Sequence, residues 1–343
     1  MRLAVSTSQN ILQIVPRLPG KREAVGDYAE TLSRKLRERA SYETTFVTGD
    51  TLDARANQRH VILHYVNYGY QSRGVPFRLL SILRELHQHC PGKFVTIFHE
   101  LYASGPPRSS AFWLRPLQVR IAREIARLSD DSVVTNEIAR AQLLRLAPQA
   151  RVAVHPVFSN FGEPNLSAEQ ISNRDPHRWV ICGGTAAILR ALRSFREQRA
   201  RISSEIAPKM LHIIGGNEND DVRKAIVDLA GIDGHYSPNI DADDASKLLR
   251  ECSFAWFDYF HRDDVPGPVV LKSSAFAAAC AHAIIPVFPH RLSRIADELP
   301  GPYSIRNLPP ASERPPLAIQ HYEWYQRRAS SDCLTNAIAG MLT

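Results

Sequence analysis

The sequence has no closely spaced cysteine pair and no long apolar run. Its five cysteines are widely separated: Cys90, Cys182, Cys252, Cys280 and Cys333. Without a CxxC motif, this spacing favours reduced thiols in a core over disulfides. No apolar run approaches the roughly 20 residues of a membrane helix, and the first residues lack the apolar core of a signal peptide. We therefore expect a cytoplasmic protein.

Several catalytic signatures are also missing. The chain contains no nucleophile elbow, no Walker loop and no paired catalytic carboxylates. The glycine pairs 183–184 and 215–216 each follow an apolar stretch without completing a dinucleotide fingerprint. Asp263 and Asp264 stand beside His261, but the spacing matches no strong metal-ligand motif, and a solvated loop is the simpler interpretation. We expect no catalytic metal and no cofactor.

What is present is the composition of a two-domain globular protein. The 343 residues are 44% hydrophobic and 22% charged, with a net charge of +7. This positive excess could attract nucleic acid, an anionic membrane face or a phosphorylated ligand. No motif supports nucleic acid. The arginines at 108–140 form no block of like charges, so a solvated helix face is the simpler account.

Strand-like and helix-like stretches alternate along most of the chain, which predicts parallel sheets covered by helices on both faces. The alternation is interrupted at 157–177, where Pro, Gly and polar residues predict a linker. We expect two Rossmann-like lobes, at 1–156 and 178–318, with a cleft between them. The helices at 319–343 are expected to return to the first lobe. In the first lobe, strands are expected at 3–5, 44–47, 60–66, 94–98, 132–136 and 152–154.

Three finer expectations follow from the local pattern. Residues 6–25 contain Pro16, Pro19 and Gly20 and are expected to form a loop. Residues 292–298 are expected to form a short helix. The aromatic stretch 65–70 is expected to be a loop, in which tyrosine rings either cover a sugar face or pack on their own lobe.

Ligands of parallel sheets bind beyond the carboxyl ends of the strands. In the first lobe, four pairs of residues are therefore candidates for ligand contact: Gly26-Asp27, His64-Tyr65, His99-Glu100 and Asn136-Glu137. In the second lobe, residues 251–289 are expected to form strand, loop, helix and strand. Lys272, Ser273 and Ser274 precede the Ala-rich helix, where a serine either caps the helix or helps its N-terminus to bind phosphate.

Taken together, these stretches resemble retaining glycosyltransferases of the two-lobe B fold, the relatives of bacterial mannosyl- and glucosyltransferases that build surface glycans. The first-lobe turn of that family usually reads Gly-Gly-(Val or Ile)-Gly-Asp, of which Gly26 and Asp27 are kept here. The family's two glutamates eight positions apart are absent, since 265–286 contain no glutamate. The stretch is similar to a variant branch in which a basic residue and small hydroxyl residues precede the helix.

The resemblance implies transfer of a hexose from a nucleotide diphosphate sugar to a glycan or lipid-linked acceptor, with retention, in surface polysaccharide synthesis. It assigns donor binding to Gly183, Gly184, Gly215, Gly216, Lys272, Ser273 and Ser274. It assigns contact with the donor sugar to His99. Glu100 would then either orient His99 or contact acceptor hydroxyls. It assigns the acceptor side to Gly26, Asp27, Tyr65 and Tyr68. Peripheral contact with an anionic inner membrane face is compatible with the charge.

Two alternatives remain open at this stage. The missing glutamates are compatible with a non-catalytic scaffold that kept the fold. Another sugar-nucleotide enzyme, such as an epimerase, would use the same two lobes.

Overall fold

The computed structural model describes residues 9–20, 24–53, 60–103, 105–259, 265–290 and 293–343. The chain divides into two compact units. Unit 1 comprises residues 1–156 and 331–343, and unit 2 comprises residues 157–330. In the described part of the chain, no helix combines the length and the hydropathy needed to cross a bilayer.

Unit 1 contains a parallel sheet of six strands in the order β2-β1-β3-β4-β5-β6. β3 and β4 are buried along their whole length, as expected for central strands covered on both faces. The strands are β1 Gln9–Val15, β2 Tyr42–Thr48, β3 His60–Tyr65, β4 Phe94–Phe98, β5 Asp131–Val134 and β6 Val152–Val154.

Five helices accompany these strands along the chain: α1 Ala24–Ala40, α2 Asn67–Tyr70, α3 Phe77–His89, α4 Ser110–Leu128 and α5 Glu137–Leu146. α4 buries one stripe, which includes Ile121 and Ile125, and its N-terminus is capped by Ser109, whose side chain accepts from the Phe112 N–H. Asn136 caps α5 in the same way, through the Ala139 N–H. The polar residue after β5 therefore has a structural role as a cap.

Unit 2 contains a second parallel sheet, in the order β12-β11-β10-β7-β8-β9. Its strands are β7 Arg178–Cys182, β8 Met210–Ile214, β9 Asp233–Ser237, β10 Phe254–Trp256, β11 Ile285–Phe288 and β12 Tyr303–Ser304. Its helices are α6 Ala168–Ser172, α7 Thr185–Gln198, α8 Asp220–Val227, α9 Ala242–Glu251, α10 Ser274–Ala281 and α11 Arg314–Arg328. A short 3₁₀ helix, Gly267–Lys272, precedes α10.

The last two helices hold distant segments in place. In α11, the Tyr325 hydroxyl accepts from the Ser159 N–H at 2.8 Å and donates to the Glu163 carboxylate at 2.5 Å. The chain ends in α12 Ser331–Leu342, which packs on α1 within unit 1. There Asp332 forms ion pairs with Lys35 at 2.8 Å and with Arg39 at 2.5 Å.

The α/β prediction with two parallel sheets is confirmed. Several local expectations are wrong. Residues 9–15 form β1 instead of a loop, while the strand expected at 3–5 lies outside the described residues. Residues 67–70 form a one-turn helix, and 293–298 do not form the expected helix. The stretch 157–177 contains α6, which Ser167 and Gln170 stabilise through a capping box.

No disulfide joins any two of the five cysteines within the described residues. Cys182, Cys252 and Cys280 are buried in the core of unit 2, and burial raises the pKa of the Cys182 and Cys252 thiols to about 12.

Candidate functional site

The sheet of unit 2 reverses its strand order between β10 and β7, which is where doubly wound sheets bind their ligands. A cavity of about 240 Å³ lies at the carboxyl ends of these two strands. Cys182, Gly183 and Gly184 line it from β7, and Trp256, Phe257 and Asp258 from β10. Lys272, Ser273, Ser274 and Ala275 complete the lining, together with Ala187, Ala191 and Tyr259.

The first helix that begins at this cavity is α7. Its N-cap is Gly184, which has no side chain to satisfy the amides of the first turn. Gly184 is exposed, and a Cβ built there would meet no atom within 4 Å. The N-terminus of α7 therefore offers unobstructed N–H groups, and the positive end of the helix dipole favours an anion there.

The second helix is α10. Ser273 is its N-cap, as predicted, and the Ser273 side chain accepts from the Phe276 N–H at 3.3 Å. Ser274 is the first residue of the helix, and both serines are partly exposed. Lys272 is exposed and has no ion pair among the described residues. Two helix N-termini and one cation thus line the same cavity.

Gly215 and Gly216 do not line the cavity, but the turn that contains them packs against the N-terminus of α7. Gly216 has a φ of +66°, in the left-handed region that favours glycine. A Cβ there would lie 2.7 Å from Thr185 Oγ1 and 2.9 Å from the Thr185 backbone nitrogen. The turn after β8 can therefore pack against the first residue of α7 only if this position lacks a side chain.

Asp258 is a cavity residue that the sequence analysis did not single out. It is 8% exposed, and its Oδ1 has no hydrogen bond within the described part of the chain. His290 Nε2 lies 3.8 Å from that oxygen, beyond hydrogen-bond range. Arg190 donates to the Asp258 backbone carbonyl at 2.6 Å and so fixes the backbone there. The signal that could have revealed Asp258 was its position directly after a buried strand.

In unit 1, His99 directly follows β4. Its backbone N–H donates to the Tyr65 carbonyl at 3.1 Å, and its Nε2 lies 3.2 Å from His64 Nδ1. The Tyr28 ring packs edge-on, with ring centroids 4.9 Å apart. Part of the His99 residue remains exposed, but the atoms packed around its imidazole lower its pKa to about 4. The ring is therefore neutral at physiological pH.

His99 is the outer member of a chain of polar side chains that includes two fully buried residues. His64 Nε2 lies 2.8 Å from Gln13 Oε1, and both residues are 0% exposed. Burial, and then the nearby His99, hold the pKa of His64 well below its usual range. The sequence analysis noticed His64 only as a residue near a strand end, and it placed Gln13 in a loop.

The remaining predicted residues lie in different environments. Gly26 is buried and Asp27 is exposed, both in the first turn of α1. Tyr65 is fully buried in the core, packed edge-on against Phe98, so its ring does not cover a ligand in this conformation. Tyr68 is 38% exposed. Glu100 is exposed, whereas the stretch that contains His261, Asp263 and Asp264 lies outside the described residues.

No protein-family model and no curated protein sequence matches the chain. Solved structures do match it. An alpha-glucosyltransferase in complex with UDP-glucose and DNA containing an abasic site has a TM-score of 0.54 and 9% identity, over 98% of this chain and 99% of its own. WaaG, a glycosyltransferase involved in lipopolysaccharide biosynthesis, has a TM-score of 0.53 and 9% identity, over 97% of this chain and 99% of its own.

A putative UDP-N-acetylglucosamine 2-epimerase from Listeria monocytogenes has a TM-score of 0.53 and 13% identity, over 96% of this chain and 95% of its own. At these identities the similarity concerns the fold. The fold is that of the two-lobe, or GT-B, glycosyltransferases, and an epimerase shares it. This confirms the predicted fold class.

Proposed function

We propose that this protein is a glycosyltransferase that moves a hexose from a nucleotide diphosphate sugar to a glycan or lipid-linked acceptor. We propose retention of the anomeric configuration and a role in surface polysaccharide synthesis. One observation carries the proposal: the cavity of unit 2 combines two helix N-termini and Lys272 at the reversal point of the sheet. That combination suits a diphosphate.

Each part of the cavity has a chemical task in this proposal. The α7 amides after Gly184, the hydroxyls of Ser273 and Ser274, and the Lys272 ammonium stabilise the negative charge that grows on the leaving diphosphate. The loop of Gly215 and Gly216 supports the α7 N-terminus. Acceptor oxygens are also needed, because ribose and sugar hydroxyls donate hydrogen bonds, and the Asp258 carboxylate supplies them.

Unit 1 contributes the second group of residues. We propose that His99 hydrogen-bonds a hydroxyl of the transferred sugar and that its dipole assists as positive charge grows at the anomeric carbon. Glu100, exposed beside it, would contact acceptor hydroxyls. Gly26, Asp27 and the exposed Tyr68 are proposed on the acceptor side. Tyr65 would support this region from the core.

A lipid-linked acceptor requires contact with a membrane, and α4 presents a suitable face. Its outward side carries Trp113, Phe112 and Leu117, which are 71%, 41% and 38% exposed, with Arg120 exposed one turn further on. Aromatic rings suit the interfacial region of a bilayer, and arginines are attracted to anionic lipids. We propose that this face contacts an anionic membrane surface.

Vesicle sedimentation tests this contact. Trp113→Ser should reduce binding to vesicles that contain anionic phospholipid, while uncharged vesicles bind the wild type weakly. Val227→Ser is the matched control, because Val227 is 82% exposed but belongs to unit 2. Equal binding by wild type and Trp113→Ser would remove α4 from the proposal.

A ligand panel followed by an activity assay tests the main proposal. A nucleotide diphosphate sugar present at about 100 times its dissociation constant should stabilise the fold by roughly 2.7 kcal/mol. The nucleotide that raises the melting temperature is then supplied as its sugar conjugates, and release of sugar is measured with and without acceptor lipids. No stabilisation by any nucleotide diphosphate or nucleotide sugar would reject the proposed function.

The same panel separates two alternatives. Structural similarity to an epimerase keeps that activity as a second candidate. An epimerase would convert a nucleotide sugar to its epimer without releasing the nucleotide. A scaffold that only binds would show stabilisation without any conversion.

A further inference from the structure

Three side chains of unit 1 form a continuous hydrogen-bonded path across the sheet. Gln13 lies on β1, His64 on β3 and His99 just beyond β4. The strand register explains their alignment. Gln13 pairs with Ile62, His64 follows Ile62 by two residues, and His64 in turn pairs with Ile97, which His99 follows by two. Because side chains alternate along a strand, all three lie on one face of the sheet.

The order of donors and acceptors along this path follows from the amide oxygen at its inner end. Gln13 Oε1 can only accept, so the neutral His64 carries its proton on Nε2 and leaves Nδ1 bare. His64 Nδ1 then accepts from His99, which must carry its own proton on Nε2. His99 Nδ1 is left without a proton, and it has no hydrogen-bond partner within the described part of the chain.

We propose that Gln13, acting through His64, holds His99 in the Nε2–H tautomer and so presents its Nδ1 as a hydrogen-bond acceptor to a ligand hydroxyl. Gln13 and His64 are positioning residues in this proposal, because neither contacts the ligand itself. The role given to the ligand hydroxyl rests on the proposed function, whereas the tautomer assignment does not.

The surroundings of the path restrict the alternatives. Tyr28 packs edge-on against both imidazoles, with ring centroids 5.9 Å from His64 and 4.9 Å from His99, and so opposes rotation of either ring. The opposite tautomer of His99 would place two bare nitrogens 3.2 Å apart unless His64 also reversed its own proton. That reversal would turn a bare His64 nitrogen towards the Gln13 oxygen, so the buried pair would lose its hydrogen bond unless the Gln13 amide turned over as well and donated from Nε2, which has no partner in the described structure.

Nitrogen-15 NMR of the full chain labelled at histidine measures the tautomer directly, because protonated and bare imidazole nitrogens resonate in separate ranges. The chain has 13 histidines, so the His99 signals are assigned by their loss in His99→Ala. At neutral pH we expect one bare nitrogen, Nδ1, and one protonated nitrogen, Nε2. A protonated Nδ1, or a pattern averaged between the two tautomers, would overturn the proposal.

Substitution at the inner end of the path tests whether Gln13 sets the tautomer. Gln13→Leu removes the acceptor but keeps an apolar group of similar size in the core, so we expect a folded protein in which the His99 signals shift towards the second tautomer. Gln118→Leu is the control, since Gln118 is equally buried in unit 1 but bonds Ala103 and Arg73 instead. It should leave the His99 signals unchanged.

A double substitution tests the connection through His64. Once His64→Phe has broken the path, adding Gln13→Leu should change the His99 signals no further. Unchanged His99 signals in Gln13→Leu alone would contradict the proposal, as would an additional shift in the double variant. These NMR measurements need no substrate. They therefore test the tautomer of His99 independently of whether the protein transfers sugar. Where turnover is measurable, Gln13→Leu should lower kcat and leave KM within a few-fold.

Discussion

At the scale of single residues, the two units present different chemistry. Lys272 is an exposed cation beside two helix N-termini, whereas His99 is a neutral imidazole whose pKa is lowered to about 4 by the atoms around it. A group of the first kind binds an anion in the ground state. A neutral imidazole such as His99 contributes most in the transition state, where charge and hydrogen bonding differ from those of the bound substrate. Its loss should therefore reduce turnover more than binding.

This contrast predicts the outcome of His99→Ala. Nucleotide affinity should stay within a few-fold of wild type, while sugar transfer or donor hydrolysis should fall by about 100-fold or more. The reference variant is His89→Ala, because His89 is exposed at the end of α3. Transfer at the wild-type rate in His99→Ala would make His99 a structural residue.

The residues that the sequence analysis found have a local sequence signal, whereas those it missed depend on contacts between distant positions in the chain. Ser273 was predicted as a cap because its signal is local: a small hydroxyl residue directly before an Ala-rich stretch. Gln13 was placed in a loop because Pro16, Pro19 and Gly20 follow it closely. Its burial is compensated by His64, 51 positions later in the chain, and no local pattern carries that information.

At the scale of whole elements, α10 connects the core of unit 2 to the cavity. Nearly every residue of α10 is buried, because alanine side chains allow close packing on the sheet, and only its N-terminus reaches solvent. His282, just beyond its C-terminus, donates from Nδ1 to the Ala278 carbonyl at 2.8 Å and accepts from the Ser246 hydroxyl of α9 at 2.8 Å. The helix is thus fixed at one end and open to a ligand at the other.

Ser273→Ala tests this division of roles. Loss of the N-cap should cost about 1 kcal/mol of stability, and it should also weaken nucleotide binding, since the same hydroxyl lines the cavity. Ser109→Ala is a closely matched control: Ser109 caps α4 through a phenylalanine N–H at 3.3 Å, as Ser273 does for α10. Both variants should lose similar stability in chemical denaturation. Equal nucleotide affinity in the two would exclude Ser273 from the site.

Most element positions followed from hydrophobic periodicity, and β4 and β6 match the expected limits. The alternation also predicted the edge of each sheet at which candidate residues gather, because parallel strands all end at the same edge. The reversal between β7 and β10 could not be predicted, since strand order depends on contacts between residues far apart in sequence. That reversal brings Gly183 and Lys272 to one cavity.

At the scale of the whole molecule, buried neutral histidines couple stability to pH. In unit 2, His282 and His321 are 0% exposed, and burial lowers the pKa of each to about 4. An unfolded histidine titrates near 6.5. The stabilisation that comes from keeping these rings neutral is therefore complete above about pH 6.5 and is lost as the pH falls towards 4.

The free energy of unfolding of unit 2 should accordingly decrease with falling pH in this window, by up to about 1.4 kcal/mol per pH unit for each of the two histidines. Tryptophan fluorescence in urea monitors the unfolding of unit 2, because its three tryptophans are buried: Trp179, Trp256 and Trp324. The tryptophan of unit 1, Trp113, is exposed. His282→Gln should reduce the slope without abolishing it, because His321 and the buried His212, whose pKa burial also lowers, remain. A slope that is flat between pH 6.5 and 4.5 would contradict the account.

The central claim is that the cavity between β7 and β10 binds a nucleotide diphosphate, and titration calorimetry of Lys272→Ala tests it most directly. Losing a charge-assisted contact worth about 1.5–3 kcal/mol should weaken binding by roughly one to two powers of ten. Lys209→Ala is the control, because Lys209 is exposed at the opposite edge of the same sheet, just before β8, and its removal changes the net charge equally. The account predicts near-wild-type affinity for Lys209→Ala and a large loss for Lys272→Ala. Equal affinities in the wild type and in both variants would contradict it.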